Sequence, residues 1–301
     1  MISVTIGIPA YNEAANIGYL LRNLLKQKLK DEFRLKEIVV VASGCTDGTE
    51  DVVKKIMGSD RRVKLLVEKE RKGKASAVNL LLRECTSNVL VMEPADTLPK
   101  NWSLHHLVAP FRNASMGATG GRPLPANPEN TVIGWIPHVL WDLHHHIATL
   151  EHKQSSYFHI SGEFCAIKTG IIKKIPETIV NDDAYIGLQI KRAGYSVAYV
   201  PEATVTMRGP STIFDIVAQR RRVVYGHMQL EKTYGAEIAS TKPTQIARIF
   251  FKVLKPRPNK FLGTFAGMSL EMLSHVLARS DFKQGKLHHK WRMVPSTKTL
   301  V

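Results

Sequence analysis

The chain has 301 residues, 44% hydrophobic and 23% charged, a composition that fits a folded protein with a proper core and excludes a disordered or collagen-like chain. Its formal net charge of +16 calls for an anionic partner without naming it, since nucleic acid, anionic lipid and nucleoside diphosphate would each answer it. Residues 201–301 hold 17 Lys+Arg against 6 Asp+Glu, a local +11, so the basic excess belongs mainly to the last third.

Cys45, Cys85 and Cys165 are odd in number and far apart, which points to reduced thiols rather than a disulfide framework. The opening MISVTIGIPAYNE has no basic segment followed by an apolar one, so no signal peptide is expected. Phe261 to Ala278 comes nearest to a spanning segment, but Glu271 and His275 interrupt it and argue against a membrane span.

Ile2, Val4, Ile6 and Ile8 alternate with the period of a strand, and Ile17, Leu20, Leu21, Leu24 and Leu25 then share one helical face. The unit recurs, predicting a strand at 38–41, a helix at 50–57, a strand at 64–67, a helix at 74–84 and a strand at 89–92. Such alternation predicts an α/β fold with a doubly wound, mostly parallel sheet flanked by helices. Ligands of such sheets sit beyond the C-terminal strand ends, here residues 9–13, 43–47 and 93–97.

From about Arg112 the pattern changes: a Gly/Pro-rich stretch at 120–128 leads into a helix predicted over 136–150. A strand at 165–167, a helix at 183–192 and strands at 197–199 and 204–207 follow. After Gln219 the chain reads as helical and basic, broken at Pro256–Pro258.

Four clusters stand at the expected crevice. Pro9-Ala10-Tyr11-Asn12-Glu13 offers an aromatic and two hydrogen-bonding side chains to a planar base and ribose, with a capped turn at Asn12 as the structural alternative. Ser43-Gly44-Cys45-Thr46-Asp47 is turn chemistry opening a helix, where backbone N–H groups suit anions. Arg71-Lys72-Gly73-Lys74 precedes a helix whose dipole it opposes, which a pyrophosphate would explain and a solvated charge run would also explain. Glu93-Pro94-Ala95-Asp96-Thr97 offers a carboxylate able to share a Mg²⁺ or Mn²⁺ with phosphate oxygens.

In this order and spacing the clusters resemble family-2 glycosyltransferases of the GT-A fold, over roughly residues 2–225. Pro9 to Glu13 is similar to the family's N-terminal PxYNE signature, Thr46 to Thr49 to its second-strand motif and Gly73-Lys74 to Asn79 to its GKxxAxN helix start. Ala95-Asp96 resembles the end of its DxD metal motif, Asn181-Asp182-Asp183 its catalytic acidic pair, and Gln219 to Arg222 its QxxRW motif.

The resemblance implies inverting transfer from a nucleoside-diphosphate sugar to an acceptor hydroxyl, with a lipid-linked or cell-surface glycan as acceptor and Mg²⁺ or Mn²⁺ as cofactor. It implies Asp183 as the base and Asp96 as the metal ligand, and places Pro9, Tyr11, Asn12, Glu13, Ser43, Asp47, Lys74, Asp96, Gln219 and Arg222 on the donor. Glu163 and Asp182 fall to the acceptor side, with structural roles as their alternatives, helix capping in the case of Asp182. Ala42-Ser43 stand where relatives carry two aspartates, Pro94 replaces the first Asp of DxD, and Val223 replaces the aromatic of QxxRW. These departures keep open a glycosyltransferase-like protein that binds without catalysis.

Residues 1–225 are thus expected to form the catalytic domain, with a nucleotide-sugar half (1–111) and an acceptor half (112–225). Residues 226–301 form a basic helical extension. On a helix, Gln219 and Arg222 share a face, whereas Arg220 and Arg221 turn towards solvent or lipid headgroups. His144, His145 and His146 are consecutive and cannot chelate one ion together. Ile246–Leu254 and Phe261–Arg279 mix apolar and basic residues, as suits a helix in the headgroup plane of an anionic membrane surface, or one packed on the catalytic domain. The expected location is cytoplasmic, peripheral at the membrane face. Nucleic acid is the rival partner for the charge, but aromatics at 7% are not interleaved with the basic residues as stacking platforms.

Overall fold

The computed structural model describes residues 1–238, 260–286 and 297. The predicted segment Ile246–Leu254 and the break at Pro256–Pro258 lie outside the described residues. An eight-stranded mixed sheet runs β3-β2-β1-β4-β7-β6-β8-β5. Its first half is the predicted parallel unit: β1 (Ile2–Ala10), β2 (Phe33–Ser43), β3 (Val63–Glu68) and β4 (Val89–Met92), crossed over by α1 (Ile17–Leu25), α2 (Thr49–Met57) and α3 (Lys74–Glu84).

The inner strands β1, β2 and β4 are largely buried on both faces, hence their near-continuous Val/Ile runs, while β3 forms the edge. Val4, Ile6 and Ile8 point to one core with Leu20, Leu21 and Leu24 of α1, all at 0% exposure.

The second half is less regular. β5 (Thr97–Pro99), α4 (Ser103–Val108) and β6 (Met116–Pro125) precede α5 (Val132–Lys153). Then come β7 (Cys165–Lys168), α6 (Asp182–Arg192), β8 (Ser196–Met207) and α7 (Ile213–Tyr234). β7 is antiparallel to both β4 and β6, and β5 to β8, while β6 and β8 run parallel. Most of the Gly/Pro-rich stretch at 120–128 is strand: Gly120 and Gly121 sit in β6, where Tyr157 Oη and the Ala203 carbonyl would lie 2.3 and 2.6 Å from a Cβ. The two short strands read at 197–199 and 204–207 are one, β8.

α8 (Phe261–Lys283) is long and apolar enough, by length and mean hydropathy, to cross a bilayer. It lies instead along α7 and α5. Arg220 grips Glu271 with two bonds at 2.6 and 2.7 Å, and Arg221 makes the same fork on Asp281. These arginines therefore do not face solvent or headgroups as their positions suggested; two carboxylates on α8 claim them. Burial alone would raise the Glu271 pKa, but Arg220 and His275 hold the carboxyl well below the usual range. Trp135 Nε1 donates to Thr264 Oγ1 at 3.0 Å, tying the start of α8 to α5.

Glu93, directly after β4, is at 0% exposure. Thr97 Oγ1 donates to its Oε1 at 3.0 Å, while Oε2 finds no partner within the protein. Burial pushes its pKa up to about 8, so this core carboxyl keeps its proton at neutral pH.

Two outcomes follow. Arg220→Met strands a buried carboxylate and should lower the unfolding free energy by about 3 kcal/mol in urea titrations, with most of it regained in the Arg220→Met/Glu271→Met double variant. The folded pKa of Glu93 exceeds that of an unfolded glutamate, so the native state holds the extra proton and stability falls as pH rises between the two values, levelling above about 8. Glu93→Gln should flatten that fall; an unchanged slope in unfolding titrations from pH 5 to 8 would contradict the assignment.

Candidate functional site

The C-terminal ends of β1, β2 and β4 open on one cavity of about 570 Å³, walled on the far side by α5, α6 and α7. Its first end is the junction of β1 and β2, whose register pairs Ala10 with Ala42 and so sets Tyr11 next to Ser43. Ser43 Oγ is buried and makes no hydrogen bond within the protein, a donor held ready for a ligand. The Arg71 guanidinium lies 4.0 Å from the centre of the Tyr11 ring, and both line the cavity. Gly44 makes that approach possible: its φ is +63° and a Cβ would come within 2.6 Å of the Arg71 backbone nitrogen.

Pro9 and Glu13 join this wall, Glu13 accepting from Asn16 Nδ2 at 3.1 Å. Asn12 and Asp47 are not brought to the cavity. Asn12, at φ +53°, accepts from the Thr46 N–H at 2.8 Å. Asp47 accepts from the Ala14 and Thr49 N–H groups at 2.9 and 3.0 Å. Both side chains staple the β1–α1 loop to the β2–α2 loop, which carry Tyr11 and Ser43.

The second end gathers the charges. Lys74 opens α3, and its ammonium lies 3.2 Å from Asp182 Oδ2 in the first turn of α6. Burial would lower the Lys74 pKa, yet Asp182, Asp183 and Glu163 hold it above its ordinary value. Burial raises the Asp182 pKa against the pull of Lys74.

Asp183 is less buried than Asp182 and faces the same cavity. Its Oδ2 accepts from the Gly162 N–H and its Oδ1 from its neighbour Ala184, each at 2.8 Å, so the carboxylate is fixed in orientation. A Cβ on Gly162 would lie 2.9 Å from Asp183 Oδ2 and 3.2 Å from Lys74 Nζ, which is why the residue is glycine. Neither aspartate caps α6. Its N-cap is Asn181, whose side chain donates to the Val223 carbonyl instead, at 2.9 Å.

Asp96, after β4, lines the cavity with Asp183, so these two carboxylates share one space. Burial raises the Asp96 pKa, and Lys74 opposes that. Glu163 is lifted to about 7 by burial and then by the Asp96 charge. Arg222 and Gln219 reach the cavity from one face of α7. Burial pulls the Arg222 pKa down to about 9 against Asp182, Asp183 and Glu163, so it stays cationic at neutral pH.

Asp96 and Glu163 are hard oxygen donors lining the same cavity, a set that fits Mg²⁺ or Mn²⁺ when a ligand's phosphate oxygens complete the shell. Among the described residues no group of three or more His, Cys, Asp or Glu is arranged to hold a metal alone. The consecutive histidines part as expected: His144 faces the cavity, His145 meets Tyr199 Oη at 2.9 Å and His146 the Asp142 carbonyl at 2.8 Å.

Sequence reasoning missed His159 and Arg208 as cavity residues, and the α5 stripe Pro137, Leu140, Trp141, His144 and Ile147. The stripe's three-to-four spacing was the available signal; the others lie in stretches without periodicity.

The model of the family described as "Glycosyltransferase like family 2" matches residues 3–226. A poly-beta-1,6-N-acetyl-D-glucosamine synthase of Staphylococcus aureus is 24% identical over 230 residues, covering 74% of this chain and 54% of its own, so the chain spans about half the length of the curated relatives it matches.

Among solved structures, the mannosyltransferase PcManGT from Pyrobaculum calidifontis, in complex with GDP-Man and Mn²⁺, superposes with a TM-score of 0.70 at 22% identity, over 94% of this chain and 87% of that one. The glucosyl-3-phosphoglycerate synthase of Mycobacterium tuberculosis, in complex with Mn²⁺, UDP and phosphoglyceric acid, gives 0.52 at 16% identity, over 76% and 78%. The curled, helix-flanked sheet is thus the GT-A fold. A match across three-quarters of the sequence, on a fold with its crevice where the matched segments converge, makes this chain a member of glycosyltransferase family 2.

Proposed function

We propose that the chain transfers a sugar, with inversion, from a nucleoside-diphosphate sugar to an acceptor hydroxyl, on a lipid-linked or cell-surface glycan, at the cytoplasmic face of a membrane. The observation that carries this reading is the shared cavity of Asp96 and Asp183, with Lys74 and Arg222 between the halves of the fold. The ligands named for the two solved neighbours, GDP-Man, UDP and Mn²⁺, support a nucleotide donor and a divalent cation here.

The nucleobase and ribose lie against Pro9, Tyr11, Glu13 and Ser43, under Arg71. Asp96, with Glu163 lining the same cavity, would hold the cation, which would supply positive charge to offset the diphosphate. Asp183 takes the proton of the acceptor hydroxyl. As the acceptor oxygen bonds to the anomeric carbon, the bond from that carbon to the diphosphate oxygen breaks and its electron pair leaves with the nucleoside diphosphate. Lys74 and Arg222 face the charge that develops there, and Gln219 shares their side of the cavity. The fixed orientation of Asp183 favours it over Asp182, whose carboxylate is engaged by Lys74. Asp182 then orders the acceptor side through Lys74.

We assign residues 1–111 to donor binding, 112–225 to the acceptor and the remainder to membrane contact. The cationic groups nearest the chemistry serve a diphosphate and the basic tail serves anionic lipid, rather than nucleic acid.

Asp183→Asn keeps the size and, through its one remaining oxygen, a single accepted N–H contact, but removes the base. Transfer should drop by about 10²–10⁴ while calorimetric binding of the donor persists; undiminished turnover excludes Asp183 as base. In thermal-shift screens, a UDP- or GDP-sugar with Mn²⁺ at about a hundred times its Kd should add about 2.7 kcal/mol of stability. Asp96→Asn should remove the part of that gain that depends on Mn²⁺, and a screen with no stabilising nucleotide sugar would refute the donor assignment.

A further inference from the structure

α8 is built inside out. The residues it turns to the protein are small or polar: Gly263, Thr264, Gly267, Glu271, Ser274, Ala278 and Asp281 are all buried. Its outer face carries Phe261, Leu262, Phe265, Met272, Leu273 and Val276, which are 45–70% exposed. A helix meeting water on its outer face shows the opposite order; large apolar side chains outward and small ones inward are the pattern of helices that face lipid. Both acidic side chains of α8 are paired inward, and the exposed cations Arg279 and Lys283 follow the apolar stripe. The local +11 of residues 201–301 points the same way, to a negatively charged apolar surface.

The stripe continues to the mouth of the cavity. Gly263 packs on Trp135 near the start of α5, and Arg220 on Glu271 aligns α8 with α7 in the same direction, so the N-terminal ends of the three helices gather at one end of the protein. Val132, Ile213 and Phe214 there are 47%, 53% and 63% exposed, and Phe214 also lines the cavity. Pro137, Leu140, Trp141 and Ile147 of α5 and Ile216 of α7 also line the cavity and make up an apolar arm of its wall. His144, on the same helix, lines the cavity too, and its Nε2 makes no hydrogen bond within the protein.

We infer that the outer face of α8 and the mouth residues Ile213 and Phe214 sit in the surface of an anionic bilayer, and that the acceptor is an amphipath whose apolar chain enters the arm lined by α5 and α7. The inference rests on the transferase reading above and narrows its acceptor to a chain-bearing lipid drawn directly from the membrane. The apolar chain fills the arm, His144 meets the polar head, and the acceptor hydroxyl reaches Asp183.

The test uses the full chain in three measurements. Vesicles of phosphatidylcholine mixed with phosphatidylglycerol should sediment the protein at low salt, better than phosphatidylcholine alone, and Phe265→Glu/Val276→Glu should cut the bound fraction about tenfold. Dodecyl phosphate, below its micelle concentration, should bind by calorimetry, and Leu140→Trp/Ile147→Trp, which fills the arm, should weaken it about tenfold or more. Binding of GDP and UDP with Mn²⁺ checks that each variant is folded.

Wild-type protein that ignores the mixed vesicles, a dimer in light scattering that hides α8, or dodecyl phosphate binding indifferent to the filled arm would each overturn the inference. Vesicle and dodecyl phosphate binding without any nucleotide binding would leave the membrane face standing and defeat the transferase reading instead.

Discussion

One ammonium group joins the two halves of this protein. Lys74 starts a helix of the parallel half, yet its charge is balanced by Asp182, Asp183 and Glu163, all supplied by the second half. Buried carboxylates without a cation among them would protonate or push apart. With Lys74 in place, three acidic side chains stand within one cavity, and the backbone can hold Asp183 by the Gly162 N–H at 2.8 Å. The strand ends, the glycine at 162 and the first turn of α6 are all placed so that this ion cluster can close.

The cluster also explains the division of labour among neighbouring side chains. Asp182 is committed to Lys74, and Glu93 is buried in the core beside Thr97, so neither carboxyl is free for other chemistry. Asp183 and Asp96 keep open sides towards the cavity. Chemically similar groups a residue or three apart thus differ through their surroundings, not their identity.

The first half of the fold was legible because burial on both faces of a parallel sheet writes itself as Val/Ile runs, and the crevice rule then pointed to Tyr11, Ser43 and Asp96. The second half was harder. β6 hides behind Gly120, Gly121 and Pro123, since close approach of Tyr157 and Ala203 demands glycine in what is nevertheless a strand. The motif around Asn12 and Asp47 does not say which atoms they bond, since that depends on the facing loop, 33 to 34 residues away. Arg220 and Arg221 were misread for the same reason: their partners come from α8, 51 and 60 residues further on.

Three consecutive arginines on α7 end in three different places: a carboxylate on α8, a second one 10 residues further along it, and the cavity. The family match stops at residue 226, partway through α7. A protein cut there would lose the last turns of that helix and both carboxylates that hold it from behind, and with them the backing that keeps Arg222 turned inward. The unit that evolution repeats across the family is therefore shorter than the unit that must fold here.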